Sequence, residues 1–167
     1  MDTNFDIVYS NEKYAESYNK TVDEVARERK YLSTVNGFSL DSSKWFINHM
    51  VSNKYPQYFL ILNENVIGWC DINPKDVPEY QHVGILGIGI LKDYRNKGYG
   101  KKLLLKSINH AKEINHLEKI ELTVFESNNT ALELYKSIGF KIEGKKEKAR
   151  KIDTVYDNEI IMGLFLA

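Results

Sequence analysis

A single cysteine, Cys70, stands among the 167 residues, so no disulfide can form within the chain. That scarcity fits a reducing compartment, and the chain reads as cytoplasmic. Net charge is absent as well. The 23 basic residues balance 23 acidic ones, which removes the broad basic field expected of a nucleic-acid binder. No apolar stretch approaches the roughly 20 residues of a membrane span. The N-terminal Met1-Asp2-Thr3-Asn4-Phe5-Asp6 lacks a basic start followed by an apolar core, so no secretory signal is expected. The four histidines show no metal-ligand spacing, and no metal site is expected. Only three prolines are present, and no linker, internal repeat or low-complexity segment is visible. This length and ordinary composition predict one domain over residues 1–167.

Hydropathy patterning predicts strands alternating with helices. Phe5–Tyr9 is a short strand candidate. From Asn11 to Leu32, Tyr14, Tyr18, Val22 and Val25 recur at helical spacing among charged residues. A second helix carrying Trp45, Phe46, His49 and Met50 is expected to start on Asp41 as its N-cap. The β-rich runs Tyr58–Leu62 and Val66–Ile72, joined by Asn63-Glu64-Asn65, predict a hairpin. His82–Leu91 is a strand with three glycines, a pattern that weakens a strand unless backbone is closely approached or the strand bends. Tyr99–Asn115 is a helix, Lys119–Phe125 a strand, and Asn128–Ile138 a helix ended by Gly139. Phe140–Glu143 and Val155–Leu166 are the last strands, with the basic run Lys145–Lys151 exposed between them. Trp45 and Trp69 are expected in the core. The order describes a mixed α/β domain.

The segment from Ile88 to Lys101 is the most informative. A strand runs through a basic, glycine-bearing turn directly into an amphipathic helix. Gly98 and Gly100 let a ligand approach the backbone, and the helix start offers free N–H groups and its positive dipole end. Arg95, Lys97, Lys101 and Lys102 add local positive charge. Together these suit a polyphosphate. A dinucleotide-binding fingerprint fails, because the third glycine would fall on Lys92 or Leu103.

What remains, Arg95-x-x-Gly98-x-Gly100, resembles the Gln/Arg-x-x-Gly-x-Gly/Ala pattern of the GNAT superfamily, the acyl-CoA-dependent N-acetyltransferases. A second block, Asn128-x-x-Ala131-x-x-Leu134-Tyr135-x-x-x-Gly139-Phe140, is similar to the strand-to-helix segment of that family. The resemblance implies that fold, with the order strand, two helices, three strands, helix, strand, helix, two strands. It implies acetyl-CoA as cosubstrate and a primary amine as acceptor. The absence of a long acidic tract or peptide-docking insertion favours a small-molecule amine over a protein N-terminus or lysine. A non-catalytic acyl-CoA-binding module is the alternative of another class. Neither nucleic acid nor membrane is an expected partner, and homodimers are common among such proteins.

The resemblance also implies roles. The turn Arg95, Asn96, Lys97, Gly98, Tyr99, Gly100 and Lys101 would hold the pyrophosphate, mostly through backbone N–H groups. The pantetheine arm would run along Ile88, Gly89 and Ile90, in a V opened between the fourth and fifth strands, with Gly87 and Gly89 consistent with a bend. Asn128 would contact the arm from the other wall or simply cap its helix. Tyr135 would be the general acid toward the leaving thiolate, a proton transfer from a phenol of pKa about 10 to a thiol of about 8.5. An amine of pKa about 10.4 needs about 4.6 kcal/mol to be neutral at pH 7, so something must take its proton. The base positions that many family members fill with Glu align here with Leu86 and Thr123. Asp71, Glu121, Asp157 or a water chain remain open for that task. Residues Arg27 to Tyr31 fall where such proteins shape the acceptor pocket, although a solvated charged face explains most of them. Cys70, in an apolar strand, is expected to be buried, which points to direct transfer without an acyl-enzyme.

Overall fold

The computed structural model describes residues 4–167. Met1–Thr3, half of the hexapeptide on which the signal reading rests, lie outside the described residues. Seven strands form one sheet: β1 (Phe5–Tyr9), β2 (Gln57–Leu62), β3 (Asn65–Pro74), β4 (Val83–Ile90), β5 (Lys119–Phe125), β6 (Lys141–Ile152) and β7 (Val155–Phe165). Their order across the sheet is β1-β2-β3-β4-β5-β7-β6. Four helices complete the chain: α1 (Ala15–Arg27), α2 (Leu40–Ser52), α3 (Tyr99–Glu113) and α4 (Asn129–Ile138). The element order is the one expected.

Strand alternation sorts the apolar residues onto two faces. Phe59 and Trp69 pack with α1 and α2, among Ala15, Tyr18, Val22 and Ile47. Their chain neighbours Leu60 and Cys70 point the other way, into a larger core with Leu103 and Leu104 of α3 and Leu132 and Tyr135 of α4. The sheet is thus covered on both faces. Asp71 follows Trp69 by two residues and shares the α1/α2 face.

The β2–β3 hairpin closes on Asn63 and Glu64, whose φ angles are 49° and 63°. A two-residue turn with both φ positive matches the twist of the strands it joins. Three boundaries and one burial differ from expectation. α1 stops at Arg27 rather than near Leu32, and the chain runs irregularly to Leu40. α2 is capped by Ser39, whose side chain accepts from the Ser42 N–H at 3.1 Å, so Asp41 lies inside the first turn. β6 continues to Ile152, so the basic run belongs to an edge strand rather than a loop. Charged side chains on an unpaired edge deter pairing with other chains. Trp45 is 66% exposed and is not core.

One feature positions the site. Strands β4 and β5 are parallel, and they pair only at Val83↔Lys119, Gly84↔Ile120 and Ile85↔Glu121. Beyond these, Leu86–Ile90 and Leu122–Phe125 diverge. Each stays zipped on its other side, β4 to β3 as far as Ile90 and β5 to β7 as far as Phe125. The opening is therefore a V within an otherwise continuous sheet. The β4 glycines serve packing: Gly89 lies opposite Trp69 and would clash with the indole if it had a Cβ, and a Cβ on Gly87 would stand 3.2 Å from Asp71 Oδ1.

Candidate active site

At the end of β4 the chain turns through Asn96 (φ 59°) and Gly98 (φ 82°) into α3. Gly98 occupies the N-cap position, where it offers no side chain to the helix. The first α-helical bond runs from Lys102 N–H to the Gly98 carbonyl at 3.3 Å, so the N–H groups of Tyr99, Gly100 and Lys101 have no partner within the helix. A Cβ at Gly98 would meet no atom within 4 Å. The turn is open on the side an anion would approach, and these residues fit a diphosphate.

The turn opens onto a cleft of about 450 Å³ between the diverging end of β4 and the starts of α3 and α4. Ile88, Gly89, Ile90, Arg95, Asn96, Gly98, Gly100, Lys101, Asn128 and Tyr135 all line it. Lys97 and Tyr99 do not. Lys97 Nζ lies 5.6 Å from the Tyr94 ring centre, and the Tyr99 ring packs on Phe5 at 4.5 Å. Val25 and Thr130 line the cleft without having been anticipated, and Tyr31, expected at the acceptor pocket, lines it as well.

Arg95 sits at the mouth. Its Nε donates to the Ile90 carbonyl at 2.8 Å, its two terminal nitrogens donate to the two oxygens of Glu28, and its guanidinium lies 4.6 Å from the Tyr31 ring centre. The motif arginine is thus bound to the irregular segment after α1. Arg150 holds the same segment from β6, donating to the carbonyls of Lys30 and Leu32.

Asn128 caps α4, accepting from the Ala131 N–H at 3.2 Å. Its Oδ1 is thereby occupied while it still lines the cleft. At the other end of α4, Gly139 (φ 115°) carries a 3.1 Å bond to the Lys136 carbonyl, and Phe140 N–H reaches the Tyr135 carbonyl at 3.0 Å. This paired closure fixes the last turn and with it Tyr135. Tyr135 is buried, and burial raises its phenol above the ordinary tyrosine range, with Cys70 pushing in the same direction.

A second cavity, about 200 Å³, fills the V itself. Leu86, Gly87 and Ile88 face Leu122–Phe125 across it, and Tyr135 and Glu159 complete the wall. A third, about 510 Å³, lies on the opposite face of the sheet, under α1 and α2. It shares Leu32 and Ser33 with the V, as the first cleft shares Ile88, Asn128 and Tyr135. The V thus adjoins both of the larger cavities.

Of the carboxylates considered, Asp71 alone lines one of these cavities. Burial raises its carboxyl to about 7. Glu121 is held by Lys75 at 2.7 Å and Lys119 at 3.0 Å, and the Lys75 hydrogen bond pulls its carboxyl below the usual range. Asp157 accepts from Ser127 and from Arg150 at 3.2 Å. Glu159 was not anticipated; it lies in the V and pairs with Lys146 at 3.4 Å. Cys70 is fully buried, and burial raises its thiol well above the ordinary range. Among the described residues no group of three or more His, Cys, Asp or Glu is placed to hold a metal ion, and no helix is long and apolar enough to cross a membrane.

Known proteins share this architecture. An acetyltransferase of the GNAT family from Streptococcus pneumoniae superposes with a TM-score of 0.91 at 27% identity, over 98% of this chain and 100% of that one. The L-amino acid N-acetyltransferase of Escherichia coli is 32% identical over 55% of this chain and 57% of its own length. The spermine/spermidine N(1)-acetyltransferase of Bacillus subtilis is 40% identical over 31% of this chain and 34% of its own length. The chain thus spans about half or less of these two curated relatives. The family model described as "Acetyltransferase (GNAT) family" matches residues 20–140, which include the phosphate turn, the V and Tyr135, and the chain belongs to that family.

Proposed function

We propose that this chain transfers an acetyl group from acetyl-CoA directly to the primary amine of a small molecule. The observation that carries this reading is the V between β4 and β5, which lies between an open helix-start turn and a carboxylate-bearing pocket and shares lining residues with the cavity at each. When bound, acetyl-CoA supplies a thioester carbonyl open to attack by an amine.

The chain's own groups divide the remaining work. The free N–H groups of Tyr99, Gly100 and Lys101, with the dipole of α3, hold the diphosphate. The backbone N–H and C=O of Ile88 and the N–H of Ile90 face the β5 side of β4 beyond the last β4–β5 pair and serve the pantetheine amides, while the Ile90 carbonyl is taken by Arg95 and Gly89 lets the arm pass close to the strand. Asn128 keeps its side-chain N–H₂ for the opposite wall. Tyr135 holds its proton at neutral pH and delivers it to the leaving sulfur. Burial in the same cleft raises the pKa of phenol and thiol alike, so what matters is their difference. Asp71, poised near neutrality, takes the ammonium proton, as a base working at pH 7 should. Cys70 points into the α3/α4 core, protonated and enclosed, which supports transfer without a thioester on the enzyme. The volume of the pocket beside Asp71, about 510 Å³, suits a small acceptor.

The test is CoA-thiol release from acetyl-CoA with a panel of amines, beside calorimetry of acetyl-CoA alone. Micromolar-range binding and amine-dependent thiol release are expected. Binding without turnover across the panel at pH 7–9 would instead leave an acyl-CoA-binding module, and no binding would remove the reading altogether.

A further inference from the structure

The pocket under α1 and α2 has an unusual lining. Five aromatic side chains, Tyr18, Phe38, Trp45, Phe46 and Trp69, surround one carboxylate, Asp71. Among the described residues no Lys, Arg or His lines it, and no second Asp or Glu. The rim aromatics are strongly exposed, Trp45 by 66% and Phe38 by 60%. Large apolar side chains left in water around a concavity mark a surface meant to be covered.

The aromatics are held in place by local bonds. The Trp45 indole stacks on His49, with centres 5.2 Å apart and planes 7° off parallel. Phe38 is pinned through its carbonyl, which accepts from Asn19 Nδ2 at 2.8 Å. Trp69 is buried in the place that Gly89 leaves for it. At the floor, Gly87 leaves room for the Asp71 carboxylate. Gln57 stands opposite Asp71 on β2, fully buried, with its amide unpartnered. The remaining polar lining is the neutral hydroxyls of Ser33, Thr34, Ser42 and Ser43, so the only charge among the described lining residues is that of Asp71.

Electrostatics selects the guest. A single carboxylate in an aromatic surround attracts one ammonium, both by charge and by the negative faces of the rings. A second ammonium, as in a polyamine, would find no second acid among the described lining residues. A carboxylate next to the amine, as in an amino acid, would enter a low-dielectric cup with no cation to meet it, and like charge from Asp71 would oppose it. We infer that the acceptor is a monoamine with an aromatic or bulky apolar body and no carboxylate, its ammonium against Asp71 and its body against Trp45, Phe46 and Phe38. This rests on the acetyl-transfer reading and deepens it, and it separates this chain from relatives named for amino acids and for spermine.

The experiment uses the whole chain and three readouts. Calorimetry first measures acetyl-CoA binding; its absence would overturn the site reading and, with it, this inference. Thiol release then compares 2-phenylethylamine with L-phenylalanine, spermidine and a tetrapeptide bearing an N-terminal phenylalanine. The expected result is a kcat/KM for 2-phenylethylamine at least roughly tenfold above each of the others. If acetyl-CoA binds but L-phenylalanine, spermidine or the peptide is preferred, the inference is wrong while the acetyl-transfer reading stands. Quenching of tryptophan fluorescence by 2-phenylethylamine provides the readout independent of turnover, and its absence would equally overturn the inference. Trp45→Ala, at the exposed rim, should raise the KM for 2-phenylethylamine by about tenfold with acetyl-CoA affinity unchanged. An unchanged KM would remove the aromatic wall from recognition.

Discussion

Glu28 and Arg95, 67 residues apart, meet in a two-point ion pair at the mouth of the cofactor cleft. Both side chains are about four-fifths covered, and Tyr31 lies over the guanidinium. The pair joins the phosphate turn to the segment that also lines the acceptor pocket. Removing one partner leaves the other half-buried without a counter-charge, a loss of about 1–3 kcal/mol. Glu28→Gln should therefore lower the melting temperature by roughly 3–10 °C. It should also change both the acetyl-CoA Kd and the amine KM, because one tether serves both. Melting curves and calorimetry check this; a change in one constant alone would mean that the tether does not couple the two pockets.

Tyr135→Phe removes one hydroxyl from a buried ring and leaves its packing on Phe140 in place. Acetyl-CoA affinity should stay within about twofold, while turnover should fall by roughly ten- to a thousandfold, the range for a positioned general acid. Steady-state kinetics beside calorimetry measures both. Full turnover would assign proton delivery to another group.

Asp71 sets the pH behaviour. Its carboxyl titrates near 7 in the folded chain and near 4 when unfolded. As pH rises from about 4 to 7, ionisation occurs first in the unfolded state, so this group's contribution to stability is lost over that window. Asp71→Asn should accordingly raise stability at pH 8, on the order of 2 kcal/mol, and do little at pH 4. Activity should move oppositely. The wild-type kcat/KM should climb through a limb centred near pH 7, and Asp71→Asn should lack that limb, its residual rate rising past pH 9 with the free amine. Glu159→Gln should retain the limb; its loss there instead would transfer the base role to the V.

Two glycines close in sequence should fail in different ways. Gly98→Val places a branched side chain at a positive φ and on the open side of the turn, where no protein atom lies within 4 Å. Acetyl-CoA affinity should drop by more than about tenfold, with a stability loss of about 1–2 kcal/mol from the left-handed backbone. Gly89→Ala drives a methyl into the Trp69 indole, so the damage should fall on the melting temperature, with the Kd of the remaining folded protein little changed. Calorimetry and thermal melts on the two variants separate these outcomes.

Much of this was legible in the residues themselves. Element order followed from periodicity, and the turn at Asn96–Gly98 and the closure at Gly139 followed from residues that alone suit those backbones. The glycines of β4 were visible but ambiguous, because sequence does not show which side chain stands opposite; Trp69 and Asp71 resolve them. The true length of β6 was hidden by Lys145–Lys151, since an exposed edge strand carries no apolar alternation. Trp45 resembled a core residue, because a recognition surface and an interior draw on the same side chains. Arg95 was visible as a cation, but its commitment to Glu28 depends on a contact between distant segments. Asp71, Glu121 and Asp157 stood as equal candidates, because sequence alone does not place the cations around Glu121 and Asp157.

The two larger cavities flank the V from different sides, and that placement bears on the order of events. In the proposed assignment donor and acceptor use separate doors, so neither needs to wait for the other. Random-sequential kinetics is the expected regime, and intersecting initial-velocity lines with either substrate varied first would be its signature.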